Sequence, residues 1–122
     1  MIKIILSDRP LSTQHIYGTM CRGRRAIVYM KKEGKALKEK YQLEAKNQYK
    51  GKVISIEQVQ FELTLFFGDR RKRDVDNYNK IILDSLEGIV YKDDKQIKKL
   101  TIIKEYDKEN PRIEIIINKL NR

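Results

Sequence analysis

The sequence predicts a mixed α/β chain of the α+β class, a two-layer sandwich in which a mixed sheet carries helices on one face. Three observations lead there. Residues 59–67 alternate in polarity, with Val59, Phe61, Leu63, Leu65 and Phe67 on one side, as a half-buried strand requires. Between residues 31 and 50, Leu37, Tyr41, Ala45 and Tyr49 recur at four-residue steps, which is one stripe of a helix. Strand-like runs also stand before the first helix and after a second, so strands and helices share one sheet. No repeat or linker interrupts the 122 residues, which predicts one domain spanning 1–122.

The elements follow in order. Ile2 to Leu6 is a short apolar run closed by Pro10, which has no N–H for a ladder. Leu11 to Arg25 has no period and contains Gly18, Gly23, Arg22, Arg24 and Arg25, so a mobile loop is expected. Ala26 to Tyr29 is a short strand. Lys31 to Lys50 is a helix with Gly34 near its start and Gly51 as its stop. It contains Glu33-Gly34-Lys35, half of an E-x-K nuclease pattern. That pattern belongs on a strand behind an acid, so it is set aside. Ile54 to Phe67 is the main strand. Asp74 stands where a helix N-cap would, and Val75, Tyr78, Ile82, Leu86 and Ile89 then share a helical face up to Gly88. Ile97 to Tyr106 and Arg112 to Asn118 are expected to form a hairpin through the polar turn 107–111.

Composition narrows the partners. Charged residues make up 36%, against about 25% in ordinary domains, so the surface is unusually ionic. The 27 Lys and Arg against 17 Asp and Glu leave +10, which favours a polyanionic partner. A membrane surface fits less well, because neither helix opposes a Trp/Phe/Leu face to a lysine face. The single cysteine, Cys21, excludes an internal disulfide and a cysteine zinc cage. The single histidine, His15, stands beside no nucleophile. No signal-peptide layout and no run near the ~20 apolar residues of a membrane span is present, so a soluble cytoplasmic protein is expected.

Chemistry concentrates in Arg70 to Gln96. Arg70, Arg71, Lys72 and Arg73 precede Asp74, Asp76 and Asn77; Lys80 follows one helical turn after Asp76, and Asp93-Asp94 come later. Magnesium takes hard oxygen ligands, and two or three carboxylates suffice. Asp74 and Asp76 supply two. A helix from Val75 to Gly88 advances ~20 Å, and six extended residues return ~20 Å. Asp94 can therefore supply a third ligand, within one subunit or across a dimer. Lys80 is placed to neutralise charge on a scissile phosphate. Asn77 is suited to orient a carboxylate by hydrogen bonding, and Asp93 to support its neighbour. The basic run, with Arg22, Arg24 and Arg25, is suited to hold phosphates without reading sequence. Plainer readings stand beside these: Asp74 as a cap, Asp76 with Lys80 as a surface pair, Asp84 with Lys80 as another. From the residues alone, a metal-assisted phosphodiesterase and a non-catalytic nucleic-acid binder are equally supported.

The run Arg70-Arg71-Lys72-Arg73-Asp74-Val75-Asp76-Asn77, then Lys80, Asp84, Leu86 and Tyr91-Lys92-Asp93-Asp94-Lys95-Gln96, resembles the RusA family of Holliday junction resolvases. The D-x-D-N-x-x-K and DD-x-Q pattern covers about a quarter of the chain. The resemblance implies a RusA-like homodimer, often phage- or prophage-borne. It would be a Mg2+- or Mn2+-dependent endonuclease that resolves four-way DNA junctions by symmetric paired nicking, in recombination and repair. It implies no small-molecule cofactor and no membrane partner. The family's metal-binding aspartates match Asp74, Asp76 and Asp94, and its catalytic lysine matches Lys80. A nuclease for flaps or forks is a related alternative. The stretch LSTQHIYGTMCRGRR departs from the family's usual residues after the first strand.

Overall fold

The computed structural model describes residues 1–12, 16–75 and 78–120. Among the described residues, six strands and two helices follow in the order β1 (Ile2–Ser7), β2 (Tyr17–Arg22), β3 (Arg25–Met30), α1 (Lys32–Gln48), β4 (Val59–Phe67), α2 (Asn79–Leu86), β5 (Ile97–Tyr106) and β6 (Arg112–Lys119). The main sheet has the order β1-β6-β4-β5, and β2 and β3 form a separate two-stranded ribbon. The expected α+β class is what the chain adopts.

β4 occupies an inner position because it is the most regularly apolar strand. Val59, Phe61, Leu63 and Leu65 are completely buried. Leu63 pairs with Ile115 of antiparallel β6 and with Ile102 of parallel β5. The parallel pairing needs a crossover, and α2 supplies it. Ile4, Leu6, Ile113, Ile115 and Ile117 complete the core face of the sheet, with Tyr41 and Ala45 of α1 and Ile82 and Leu86 of α2 packed on it.

Four expectations change. β5 and β6 are no hairpin, because β4 lies between them. The connection 107–111 instead passes the end of β4, where the Asp107 N–H donates to the Phe67 carbonyl at 2.8 Å. The main strand begins at Val59, since the Ile54 N–H is drawn away to Val90 O and its carbonyl accepts from Lys92 N–H. The regular helix α2 starts behind Tyr78, four residues after Asp74, and the Tyr78 ring packs edge-on against Phe67 at 5.2 Å. Aromatic packing sets that helix start, and no side chain caps it.

The fourth change is the stretch expected to be a loop. Its second half is β2 and the start of β3, joined by Gly23-Arg24. Gly23 has φ +62°, and glycine first in a two-residue connection matches the twist of a hairpin. Backbone bonds along the ribbon outweigh the missing period. Its base is fixed to α1: the Lys31 N–H donates to Ile16 O at 2.6 Å. A β-carbon on Gly34 would meet Ile16 Cγ2 at 2.5 Å and Ile16 O at 2.9 Å. Gly34→Ala is therefore expected to cost about 1–3 kcal/mol by overpacking. Thermal unfolding checks this, and an unchanged midpoint would mean the ribbon base is not packed there.

Elsewhere α1 behaves as expected but stops at Gln48, short of Gly51. Gln48 clasps the outer edge of β1, accepting from Ile5 N–H and donating to Ile5 O, both at 2.7 Å. That edge is closed to further strands. Among the described residues no helix is long and apolar enough to cross a membrane.

Candidate functional site

The two adjacent aspartates before β5 do different work. Asp93 N-caps a short 3-10 turn, Asp94–Gln96: its carboxylate accepts from Lys95 N–H at 2.9 Å, and the Gln96 side-chain oxygen accepts from Asp93 N–H at 2.8 Å. The Lys95 amide is the main reason the Asp93 carboxyl is held below its ordinary range. Gln96 also donates to the carbonyls of Ile54 at 2.9 Å and Glu57 at 3.0 Å, anchoring the turn to the chain ahead of β4. The DD-x-Q pattern is thus a capping box whose middle residue, Asp94, is left exposed with its carboxylate uncommitted to the cap.

Asp94 meets α2. Its carboxylate oxygens come within 4.8 Å of those of Asp84 and Glu87. Asp84 and Glu87 are three residues apart and face the same flank. Lys80 sits one turn earlier, with its ammonium 3.5 Å from Asp84. Tyr17, the first residue of β2, closes the group: its hydroxyl donates to Asp84 Oδ2 at 3.2 Å, and the Lys80 ammonium lies 5.1 Å above its ring. Burial first, then the Asp84 charge, push the Tyr17 phenol up to about 12, so it stays a proton donor at neutral pH. Tyr91 forms the buried floor. Its hydroxyl donates to Leu83 O at 2.7 Å, and burial, followed by the charges of Asp94, Glu87 and Asp84, raises its pKa.

Gln96→Ala removes three hydrogen bonds and frees the Asp94 turn. Outer residues that orient a ligand typically matter 10–100-fold. The expected result is a loss of activity of about that size in any reaction that uses Asp94. Full activity would show that the turn does not position it.

The remaining residues singled out by sequence divide clearly. Asp74 is exposed, four residues ahead of Tyr78, and among the described residues it stands outside the group of Asp84, Glu87 and Asp94. Asp76 and Asn77 lie outside the described residues. Arg73 pairs with Asp69 at 2.8 Å and stacks over Phe67, and its carbonyl accepts from the Lys104 ammonium at 3.1 Å. Arg70 stacks over Tyr106 at 4.2 Å. Both guanidiniums therefore shape the loop. The Arg73 side chain is the first cause that lowers the Asp69 carboxyl from its ordinary 3.8 to about 2. A lowered carboxylate supports the fold above its unfolded pKa, so this brace is whole above about pH 4 and fades as pH falls through 2. Arg71 and Lys72 are exposed and make no ion pair among the described residues. They line a groove of about 460 Å3 with Arg70 and Lys104 at the end of β5.

Sequence reasoning missed Glu87 and Tyr17 and assigned Asp84 only a surface pair. Glu87 carried a weak signal, its i+3 spacing from Asp84. Tyr17 carried none, because its relation to Asp84 exists only through the ribbon.

A divalent cation suits this donor set. The three carboxylates of Asp84, Glu87 and Asp94 are hard oxygen ligands, and the one ammonium paired with them leaves the flank negative. Oxygens sharing one octahedral ion of this size lie about 3 to 4 Å apart. The three carboxylates already lie within 4.8 Å of one another.

Comparison with known proteins finds a partial relative and a family match. One 50-residue stretch is 44% identical to the Bacillus subtilis (strain 168) protein YqaN, described as uncharacterized; it covers 41% of this chain and 34% of that protein's length. The chain thus matches about a third of that relative. A family model described as "Endodeoxyribonuclease RusA" matches residues 9–118, which include both helices, the ribbon and every acid named above. A match over nearly the whole chain, with the D-x-D-N-x-x-K and DD-x-Q residues inside it, makes this chain a member of the RusA endodeoxyribonuclease family.

Proposed function

We propose that the chain, as one domain of residues 1–122, is a Mg2+- or Mn2+-dependent endodeoxyribonuclease that resolves four-way DNA junctions. It works in the cytoplasm as a homodimer and nicks two opposed strands symmetrically. A two-fold dimer matches a substrate of near two-fold symmetry. The observation that carries this reading is the capping box, which spares Asp94 and turns it toward the acidic flank one turn from Lys80.

Asp74, Asp76 and Asp94 hold the ion, with Asp84 and Glu87 as further oxygen donors. When bound, the ion polarises a phosphoryl oxygen and makes water nucleophilic at neutral pH. Lys80 sets an ammonium beside the phosphate, where charge grows in the transition state. Tyr17 holds Asp84 by donating to it, which keeps the Lys80 ammonium at the site mouth. Asn77 orients a carboxylate. Arg71 and Lys72, with Arg22, Arg24 and Arg25, hold flanking phosphates and so position DNA without reading it. Arg70 and Arg73 contribute by shaping the loop.

A labelled four-way junction tests the reading, beside linear duplex and with EDTA. The expected result is paired nicks in the junction with Mg2+ and none with EDTA. Junction binding with no cutting in either Mg2+ or Mn2+ would make the protein a binder. Faster cutting of flaps or forks would move the substrate class. Affinity is expected to fall steeply with salt, as counterions are released from phosphate.

A further inference from the structure

The β2–β3 ribbon carries an arrangement that costs the fold and serves nothing within it. Arg22 and Arg25 are direct cross-strand partners, with Arg24 in the turn between them. Like charges opposite one another destabilise a ribbon. None of the three arginines makes an ion pair among the described residues, whereas Arg73 and Arg112 each hold acids. All three are exposed, and a β-carbon on Gly23 would meet nothing within 4 Å, so the tip stands clear of the rest of the molecule. Thr19, Met20, Cys21, Ala26 and Val28 are exposed as well. A two-stranded ribbon alone is marginal in water. Among the described residues this one is held at its base, by Lys31 and Gly34 on one side and by Tyr17 on Asp84 on the other.

Such a free, cationic two-stranded ribbon is the kind of element that the major groove of duplex DNA admits. We propose that the ribbon is a measuring arm: its arginine tip lies in the major groove of a duplex arm at a set distance from the phosphate at Lys80. Tyr17 fixes the near end of the arm at Lys80 and Asp84. Five strand steps at about 3.4 Å put Arg22 about 17 Å away. At about 3.4 Å per base pair, the tip sits about five base pairs from the cut. The inference rests on the nuclease reading above.

Cys21 makes it testable, because it is the only cysteine, is exposed, and precedes Arg22. An iron–EDTA chelate attached there cleaves whatever DNA lies beside the tip. On a four-way junction, chelate-dependent cuts are expected on both strands of an arm, centred about five base pairs from the protein's own Mg2+-dependent nick. Normal nicking with no chelate cuts, or with cuts spread along all arms, overturns the arm and leaves the nuclease reading standing. No nicking by the unmodified protein overturns both. Ready disulfide formation between Cys21 residues of two copies on the junction would mean that the ribbon pairs with a second copy, and also overturns it. Replacing Arg22, Arg24 and Arg25 with glutamine should lower the slope of log affinity against log salt by about 2 to 3, at about 0.9 per lost phosphate contact. An unchanged slope would show that the tip never meets DNA.

Discussion

Asp94→Asn is expected to lower Mg2+-dependent nicking of a four-way junction about a thousandfold or more while leaving junction binding intact. The substitution keeps the size of the side chain and its place in the turn, and removes one anionic oxygen from the group with Asp84 and Glu87. Loss of a single preorganised electrostatic contact to a reacting phosphate costs about 100–1000-fold, and loss of a metal ligand removes the ion's contribution as well. Asp74→Asn is expected to behave the same way. Asp93→Asn is the informative contrast. Asparagine caps as well as aspartate, so the turn survives and nicking should stay within a few-fold of the parent. Single-turnover cleavage of a labelled junction, with binding measured in Ca2+, separates the three. Equal loss in Asp93→Asn and Asp94→Asn would break the division of labour between them. Full activity in Asp94→Asn would remove it from the chemistry.

Phe61→Ala is expected to destabilise the fold by about 3–5 kcal/mol. Phe61 is completely buried in the first half of β4, with its ring edge-on to Tyr91 at 6.3 Å. Small domains are stable by about 5–15 kcal/mol, so this single cavity removes a large part of the total. The unfolding midpoint should fall by about 10–20 °C, and Phe61→Leu should recover most of it. Circular dichroism during heating reads both. A fall under about 5 °C would mean that β4 is not the buried centre of the sheet. The consequence reaches the site, because Tyr91 is its floor and would lose the ring that braces it.

The readable parts of this protein are those whose physics is local. Alternation in β4 and the four-residue stripe of α1 report burial directly, because period and face are the same fact. The D-x-D-N-x-x-K and DD-x-Q spacing marked the family. Local reasoning failed where a longer-range contact competed. The helix start expected behind Asp74 yielded to one behind Tyr78, whose ring packs on Phe67. A hairpin between β5 and β6 yielded to β4, which offers both neighbours a more apolar partner. A stretch without period became a ribbon because glycine at a positive φ and a base packed on α1 were enough.

By itself the sequence determined the class of the fold, its basic surface, the family and the identity of Asp94 as a candidate ligand, since each depends on residue type and short spacing. Only the tertiary structure decided which of the paired aspartates caps the turn, that Asp84, Glu87 and Tyr17 gather beside the other, and which arginines brace a loop and which are exposed. Those are meetings between segments far apart in the chain. Their outcome depends on how β4, α2 and the ribbon pack, and no local pattern carries that information.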